Sequence, residues 1–386
     1  MKKLKIGVIG VGNMGSYHAK NLYEQKVDGA DLYALCDNDE IVAEQLRQDY
    51  PDVKVYENYV ELLDSGCDAV IIATPHYFHP EIAISAFERG VDVMCEKPTG
   101  VYTKQVRLMN QSAEKHHRKF AVMFNQRTSS LFSTSREIVK SGQLGELKRA
   151  VWIITNWYRT QSYYDSCSWR GTYQTEGGGV LMNQAPHNLD ILQWILGMPK
   201  SVYANLDFGR YHNISVEDSA DLLLKYENGM SVSFLTSTGE PCGTNRFEIV
   251  GSKGKIVLEG GVLKKWISKE DERDYCFSAK ELNYQPEFEY SEVAEEGPAD
   301  AHLAVLQNFV NHILFDEPLV ACGHEGINEL ILSNAAYFSA WTKSEISLPL
   351  DEDKFYELLK SHSNDKKEAK TSRKNYTNPA RWQINW

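Results

Sequence analysis

The sequence predicts an α/β protein, with an N-terminal doubly wound parallel sheet followed by a second α+β domain on a large, mostly antiparallel, open-faced sheet. Three observations predict it. Short apolar runs alternate with helical stretches from residue 4 to residue 124. The first strand runs straight into Gly10-Val-Gly12-Asn13-Met14-Gly15. Beyond residue 125 longer alternating segments appear, separated by hairpin signals such as Glu227-Asn-Gly229 and Gly251-Ser-Lys-Gly254.

The elements follow in order. Residues 4–9 read as a strand, with a helix after the glycines to about Glu24. Strands at 32–37, 53–56, 68–74, 92–96 and 119–124 alternate with helices at 39–49, 59–65, 80–89 and 104–116. Asp68-Ala-Val-Ile-Ile-Ala-Thr74 is almost wholly apolar, as a strand covered on both faces must be. A helix over 131–141 and a Gly142-Gln-Leu-Gly145 turn open the second part. Strands are then predicted at 147–158, 201–209, 220–227, 230–237, 246–250 and 255–258, and helices at 298–315 and 324–342. The expected domains are 1–124, 125–362 and a polar, basic tail at 363–386, which reads equally as a mobile tail or, from its tryptophans, as a segment docking on another subunit.

The 386 residues are too many for one typical core, so two domains are expected. A hydrophobic content of 42% suits a packed globular chain. The net charge of −12 argues against nucleic acid or a membrane surface as partner, because both demand a basic face. The apolar run at the N-terminus is too short for a signal peptide. Seven scattered cysteines without a C-x-x-C pair point to reduced thiols in a cytoplasmic protein, and no metal site is expected.

Context makes the glycine motif informative. In a Rossmann βαβ unit Gly10 permits the tight turn, Gly12 lets backbone approach a pyrophosphate, and Gly15 permits close helix–strand packing. Asn13 and Met14 lie between them at the helix start, where free N–H groups meet phosphate. Asp37 closes the second strand, placed to take both ribose hydroxyls. A 2′-phosphate there would face Asp37, Asp39 and Glu40, so NAD is favoured over NADP.

Ligands of such sheets bind at the carboxyl ends of strands. That places Thr74, Pro75, His79, Glu96, Lys97 and Asn125 at the cofactor. Most lysines are merely solvated, but Lys97 sits at the exit of an apolar strand. Near a cationic ring its ammonium form is disfavoured, which suits proton relay.

Glu176-Gly-Gly-Gly-Val-Leu-Met-Asn183-Gln-Ala-Pro-His187-Asn-Leu-Asp190 is the second chemical segment. Asn183, His187 and Asp190 fall at i, i+4 and i+7 of a helix. Pro186 is tolerated only if that helix begins near Asn183. The glycines would let the backbone pass close to a flat ring, with a nicotinamide and a sugar as candidates. These features favour His187 as a general base over a structural histidine.

Together these motifs resemble the glucose–fructose oxidoreductase, inositol dehydrogenase and rhizopine-catabolism (Gfo/Idh/MocA) family along nearly the whole chain. The resemblance implies NAD(P)-dependent oxidation of a secondary alcohol on a sugar, glycoside or cyclitol. Lys97 and His187 match the family's catalytic lysine and histidine. Its classical dehydrogenases carry aspartate where this chain has Asn183, which cannot accept a proton. Asn183 can still bind a substrate hydroxyl or orient His187. Tyr163, Trp169 and Arg170, from the aromatic loop 156–173, and Arg127 are the expected substrate contacts, together with Lys97, Asn183 and His187. The outer face of the large sheet is expected to bury against a second subunit in a homodimer or homotetramer. Two alternatives are an NAD-dependent redox-neutral glycosidase and a non-catalytic sugar or NAD sensor. Retention of both Lys97 and His187 argues against the sensor.

Overall fold

Ala69-Val-Ile-Ile72 lies near the middle of the first sheet, and all four residues are buried. Apolar runs of this kind set the architecture of the computed structural model, which describes residues 3–280, 282 and 285–363. The tail expected to dock on another subunit lies, beyond Ser363, outside the described residues.

The first domain contains β1 (Leu4–Ile9), α1 (Asn13–Tyr23), β2 (Ala30–Cys36), α2 (Glu40–Asp49), β3 (Lys54–Tyr56), α3 (Tyr59–Asp64) and β4 (Ala69–Ile72). It continues through α4 (His79–Glu88), β5 (Asp92–Cys95), α5 (Thr103–Lys115) and β6 (Phe120–Val122). The strand order is β3-β2-β1-β4-β5-β6, and every pair is parallel. Side-chain caps mark the helix starts: Asp39 accepts from Ile41 N and Val42 N, and Asn58 from Val60 N.

The second domain holds α6 (Ser130–Lys140), β7 (Leu147–Ile154), α7 (Gln161–Asp165), α8 (Val180–Asn183), α9 (Pro186–Leu196), β8 (Ser201–Phe208), β9 (Glu217–Lys225) and β10 (Ser231–Ser237). Then come β11 (Asn245–Gly251), β12 (Gly254–Glu259), β13 (Val262–Ser268), α10 (Glu272–Ser278), β14 (Phe288–Ala294), α11 (Ala301–Phe315), α12 (Gly326–Thr342), β15 (Ile346–Ser347) and α13 (Glu352–Ser363). Its sheet runs β14-β13-β12-β11-β7-β10-β9-β8-β15. Only β7–β10 is parallel among its strand pairs.

Two features depart from the expected layout. Strands β13 and β14 extend the sheet beyond 258. In β13 the pair Lys264-Lys265 breaks the alternation, and all of β14 is exposed, so neither shows a buried stripe in sequence. Helix α11 also leaves the second domain. Its Val305, Leu306, Phe309 and Val310 are buried with Leu4, Ile6, Leu32 and Ala121 in the core of the first sheet. Each such side chain contributes roughly 1.5–3 kcal/mol on burial, so the helix is integral to that core. All seven cysteines are free thiols, and Cys36, Cys67 and Cys95 are buried. No described helix is long and apolar enough to cross a membrane.

Candidate active site

The turn after β1 is built from backbone. Gly10 adopts φ +83°, and a Cβ there would lie 2.8 Å from Ala73 C and from Thr74 N and Cγ2. A Cβ on Gly15 would sit 1.9 Å from Gly10 O, whereas Gly12 faces open space. No side chain caps α1, and its first turn carries no acidic residue. Asn13 is exposed and Met14 half-buried at that start. An uncapped helix start approached by a bare glycine fits a pyrophosphate. Asp37 stands beside it. Its oxygens accept from Val11 N at 2.8 Å and Asp39 N at 3.1 Å, with lone pairs left for ribose hydroxyls.

At the exits of β4 and β5 the chain does more bracing than sequence position suggests. His79 is 1% exposed, and its ring nitrogens meet Thr74 O at 2.6 Å and Pro98 O at 2.8 Å. It ties the two strand exits together. The reason is its position at the first residue of α4, where its ring turns inward. Glu96 is likewise spent on protein: Oε1 meets His18 Nε2 at 2.8 Å and Oε2 accepts from Lys97 N at 3.3 Å. It braces the Lys97 turn. Asn125 is buried, its Nδ2 3.4 Å from His302 Nδ1. Thr74 packs on Gly10, and Pro75 precedes the turn 76–78 that leads into α4.

Lys97 spans the two domains. Its Nζ donates to Asn183 O at 2.9 Å. Burial lowers its pKa, with Arg170 and Arg159 adding to the effect and Glu96 and Glu329 opposing it. His187 is 5% exposed and lies edge-on to Phe124, and its Nδ1 has no hydrogen-bond partner among the described residues. Burial, then the charges of Lys97 and His302, push its pKa well below the ordinary histidine value. A neutral imidazole within the field of an amine of weakened basicity suits acid–base work on a hydroxyl.

The segment carrying these groups is not one helix. One turn, α8, ends at Asn183, and α9 starts at Pro186. Pro186 takes the helix start, where its missing N–H costs nothing, so the expected continuous face is broken. Asp190 consequently faces elsewhere. Its Oδ2 and Oδ1 take Arg127 Nε at 2.8 Å and Nη2 at 2.7 Å, and Glu325 closes on Nη1. Arg127 is buried, and Asp190 and Glu325 hold its guanidinium. Asp190 lies 63 residues away, so charge and position alone did not reveal the pair.

On the side a Cβ would take, the glycines before α8 face protein. A Cβ on Gly177 would lie 2.5 Å from Val101 Cγ1, on Gly178 2.0 Å from Tyr337 Oη, and on Gly179 1.9 Å from Glu217 O. Glu217 caps the segment: its carboxylate accepts from Gly179 N, Leu181 N and Tyr337 Oη. Glu217 carried no signal in the sequence, because only the folded sheet brings β9 to α8.

The aromatic loop does meet the lysine–histidine centre. Tyr163 Oη receives Arg170 Nη1 and, at 3.0 Å, Gln184 Nε2, and lies 3.5 Å from Asn183 Oδ1. The Arg170 guanidinium sits 4.3 Å from the Tyr163 ring and 4.5 Å from the Trp169 ring. Glu176, 1% exposed, takes the Asn183 amide on Oε1 and Gly171 N on Oε2 at 2.6 Å. Its position at the head of the glycine run was the one sequence signal for it.

Comparison with known proteins gives the family and the shared fold. Residues 4–124 match the model of an oxidoreductase family with an NAD-binding Rossmann fold, and residues 132–257 match the GFO/IDH/MocA C-terminal domain. The chain is similar to myo-inositol 2-dehydrogenase of Thermotoga maritima, 27% identical over 354 residues, covering 89% of this chain and 98% of that protein. D-glucoside 3-dehydrogenase of Escherichia coli is 26% identical over 370 residues, covering 89% of this chain and 97% of that protein. The WlbA dehydrogenase from Bordetella pertussis, solved with NADH and UDP-GlcNAcA, superposes with a TM-score of 0.75 at 24% identity over 90% of this chain and all of that one, and shows the shared fold.

Proposed function

The chain belongs to the GFO/IDH/MocA oxidoreductase family, and on that premise we propose that it oxidises a secondary hydroxyl of a sugar, glycoside or inositol to a ketone with NAD. The observation that carries the reading is the meeting of Lys97, from the strand exit of the NAD-binding domain, with Asn183 beside a buried, neutral His187. Relatives named for inositol and glucoside oxidation support the substrate class.

The chain's own groups divide the work. NAD, when bound, supplies the hydride acceptor. His187 is the general base that takes the hydroxyl proton. Lys97 donates a hydrogen bond to the oxygen as it becomes alkoxide and then ketone. Tyr163, Trp169 and Arg170 form the wall on which the ring lies. Closure of the site by these side chains keeps water from the developing charge.

The test is absorbance at 340 nm with NAD and a panel of inositols, free sugars and glucosides, with NADP alongside. Stoichiometric NADH with one class is expected. Release of p-nitrophenol from a glycoside without net NADH would instead establish the redox-neutral glycosidase. The absence of either, with NADH and sugar still bound, would establish a sensor.

A further inference from the structure

The Asn183 side chain has two neighbours of opposite demand. Glu176 is a buried carboxylate whose Oε2 already accepts the Gly171 N–H. Arg170 Nη1, 3.8 Å from Oε1, and the Gly171 N–H favour the ionised carboxylate against burial, so Oε1 accepts too and takes the Asn183 Nδ2 proton. On the other side stands Tyr163 Oη, which receives Arg170 Nη1 and Gln184 Nε2 and so has its own proton to give to Asn183 Oδ1. Asn183 is half-buried, and its backbone carbonyl holds Lys97 Nζ. Glu176 in turn is fixed by its own backbone, whose carbonyl takes His76 Nδ1 at 2.9 Å.

We propose that Glu176 is a positioning residue for the reaction. Its carboxylate holds the Asn183 amide with nitrogen inward and oxygen toward the pocket, as an acceptor for a substrate hydroxyl beside Lys97. This rests on the dehydrogenase reading above. The hydrogen-bond pattern around the pair also states which exchanges the site tolerates. Glutamine at 176 must use Oε1 for the Gly171 N–H, which turns its Nε2 on Asn183 Nδ2. Donor then faces donor, and the Asn183 amide rotates to present a donor to substrate. Aspartate at 183 sets two carboxylates against each other, and the pair must share a proton. Making both changes restores complementarity: the introduced glutamine amide donates to the introduced aspartate carboxylate, and the pocket-facing atom is again an acceptor.

The experiment uses the full chain with its best polyol. Glu176→Gln is expected to lower kcat and raise KM, together about a tenfold to hundredfold loss in kcat/KM, while the Kd for NADH by fluorescence stays within about twofold. Asn183→Asp is expected to lose a similar amount at neutral pH and to shift the acid limb of its pH profile. The double variant E176Q/N183D is expected to recover most of the loss. A merely structural Glu176 predicts the reverse: the double variant at least as impaired as the worse single one, which would overturn the proposal. So would an unchanged E176Q. A second readout needs no turnover. The Asn183 side-chain amide resonance, assigned by its loss in N183D, should move in E176Q, and an unmoved signal would overturn the pairing. A moved signal in a protein that turns over no polyol would uphold the pairing and sink the dehydrogenase reading instead.

Discussion

At the scale of residues, the proposed chemistry rests on two pKa displacements in one direction. Burial holds His187 well below the ordinary histidine range and Lys97 below the ordinary lysine value. A base of depressed pKa stays neutral into acid, so the acid limb of kcat/KM should lie below pH 6.5. A depressed lysine loses its proton early, so the alkaline limb should lie below 10.5. A pH–rate profile from pH 5 to 10 checks both limbs. Lys97→Met and His187→Ala should each lower turnover by about 10²–10⁴-fold. A smaller loss in both would remove them from the chemistry. Asp37→Ala should erode the preference for NAD over NADP by roughly tenfold, measured as the ratio of kcat/KM values. The place of Lys97 at a strand exit and the glycine turn after β1 were legible in sequence because an apolar run or a glycine marks them locally. The partners of Arg127, His79 and Glu96, namely Asp190, Pro98 and His18, were not legible in sequence because only the fold brings them together. Sequence shows a charge and its place, not what neutralises it.

At the scale of elements, the short turn α8 carries the site and has little stability of its own. One turn of helix is marginal in water, so its support must come from elsewhere. Glu217 supplies it from β9 by satisfying Gly179 N and Leu181 N. Glu217→Ala would orphan both donors and the Tyr337 hydroxyl, at a cost of about 2–4 kcal/mol in a denaturation experiment. Burial raises the Glu217 carboxyl to about 7 against an ordinary 4.5. A raised folded-state pKa gives stability that is present below the unfolded value and lost as pH rises through the folded one. Wild type should therefore lose stability relative to Glu217→Gln between pH 5 and 8, on the order of 1–3 kcal/mol. Equal pH dependence in the two proteins would contradict the assignment. Local pattern predicted most strands and helices because caps and apolar runs are written in adjacent residues. The break at Pro186 was half legible: the proline said that a helix must start nearby, but not that a separate turn precedes it.

For the molecule as a whole, the first domain is completed by a helix from far along the chain. With α11 in its core, residues 4–124 are not a self-sufficient unit. A fragment ending at residue 124 should expose the surface that Phe309 and Val310 cover, and should aggregate on size exclusion where the full chain does not. The outer face of the large sheet keeps sizeable apolar groups in solvent. Tyr203 and Leu223 pair across β8–β9 and are 46% and 40% exposed, and Tyr290 on β14 is 52% exposed. We expect a second copy to cover this face, giving a dimer or tetramer by light scattering, and Leu223→Asp to weaken it. A monomer at micromolar concentration would contradict that arrangement.

The central claim is hydride transfer from a ring carbinol to NAD. The most direct test is a substrate deuterated at that carbon, incubated with NAD and the full-length protein, with the reduced cofactor then analysed by mass spectrometry. One deuterium per reduced nicotinamide is expected, with a ketone formed in equal amount. Reduced cofactor without deuterium, or labelled sugar recovered unoxidised while its glycosidic bond is cleaved, would contradict it.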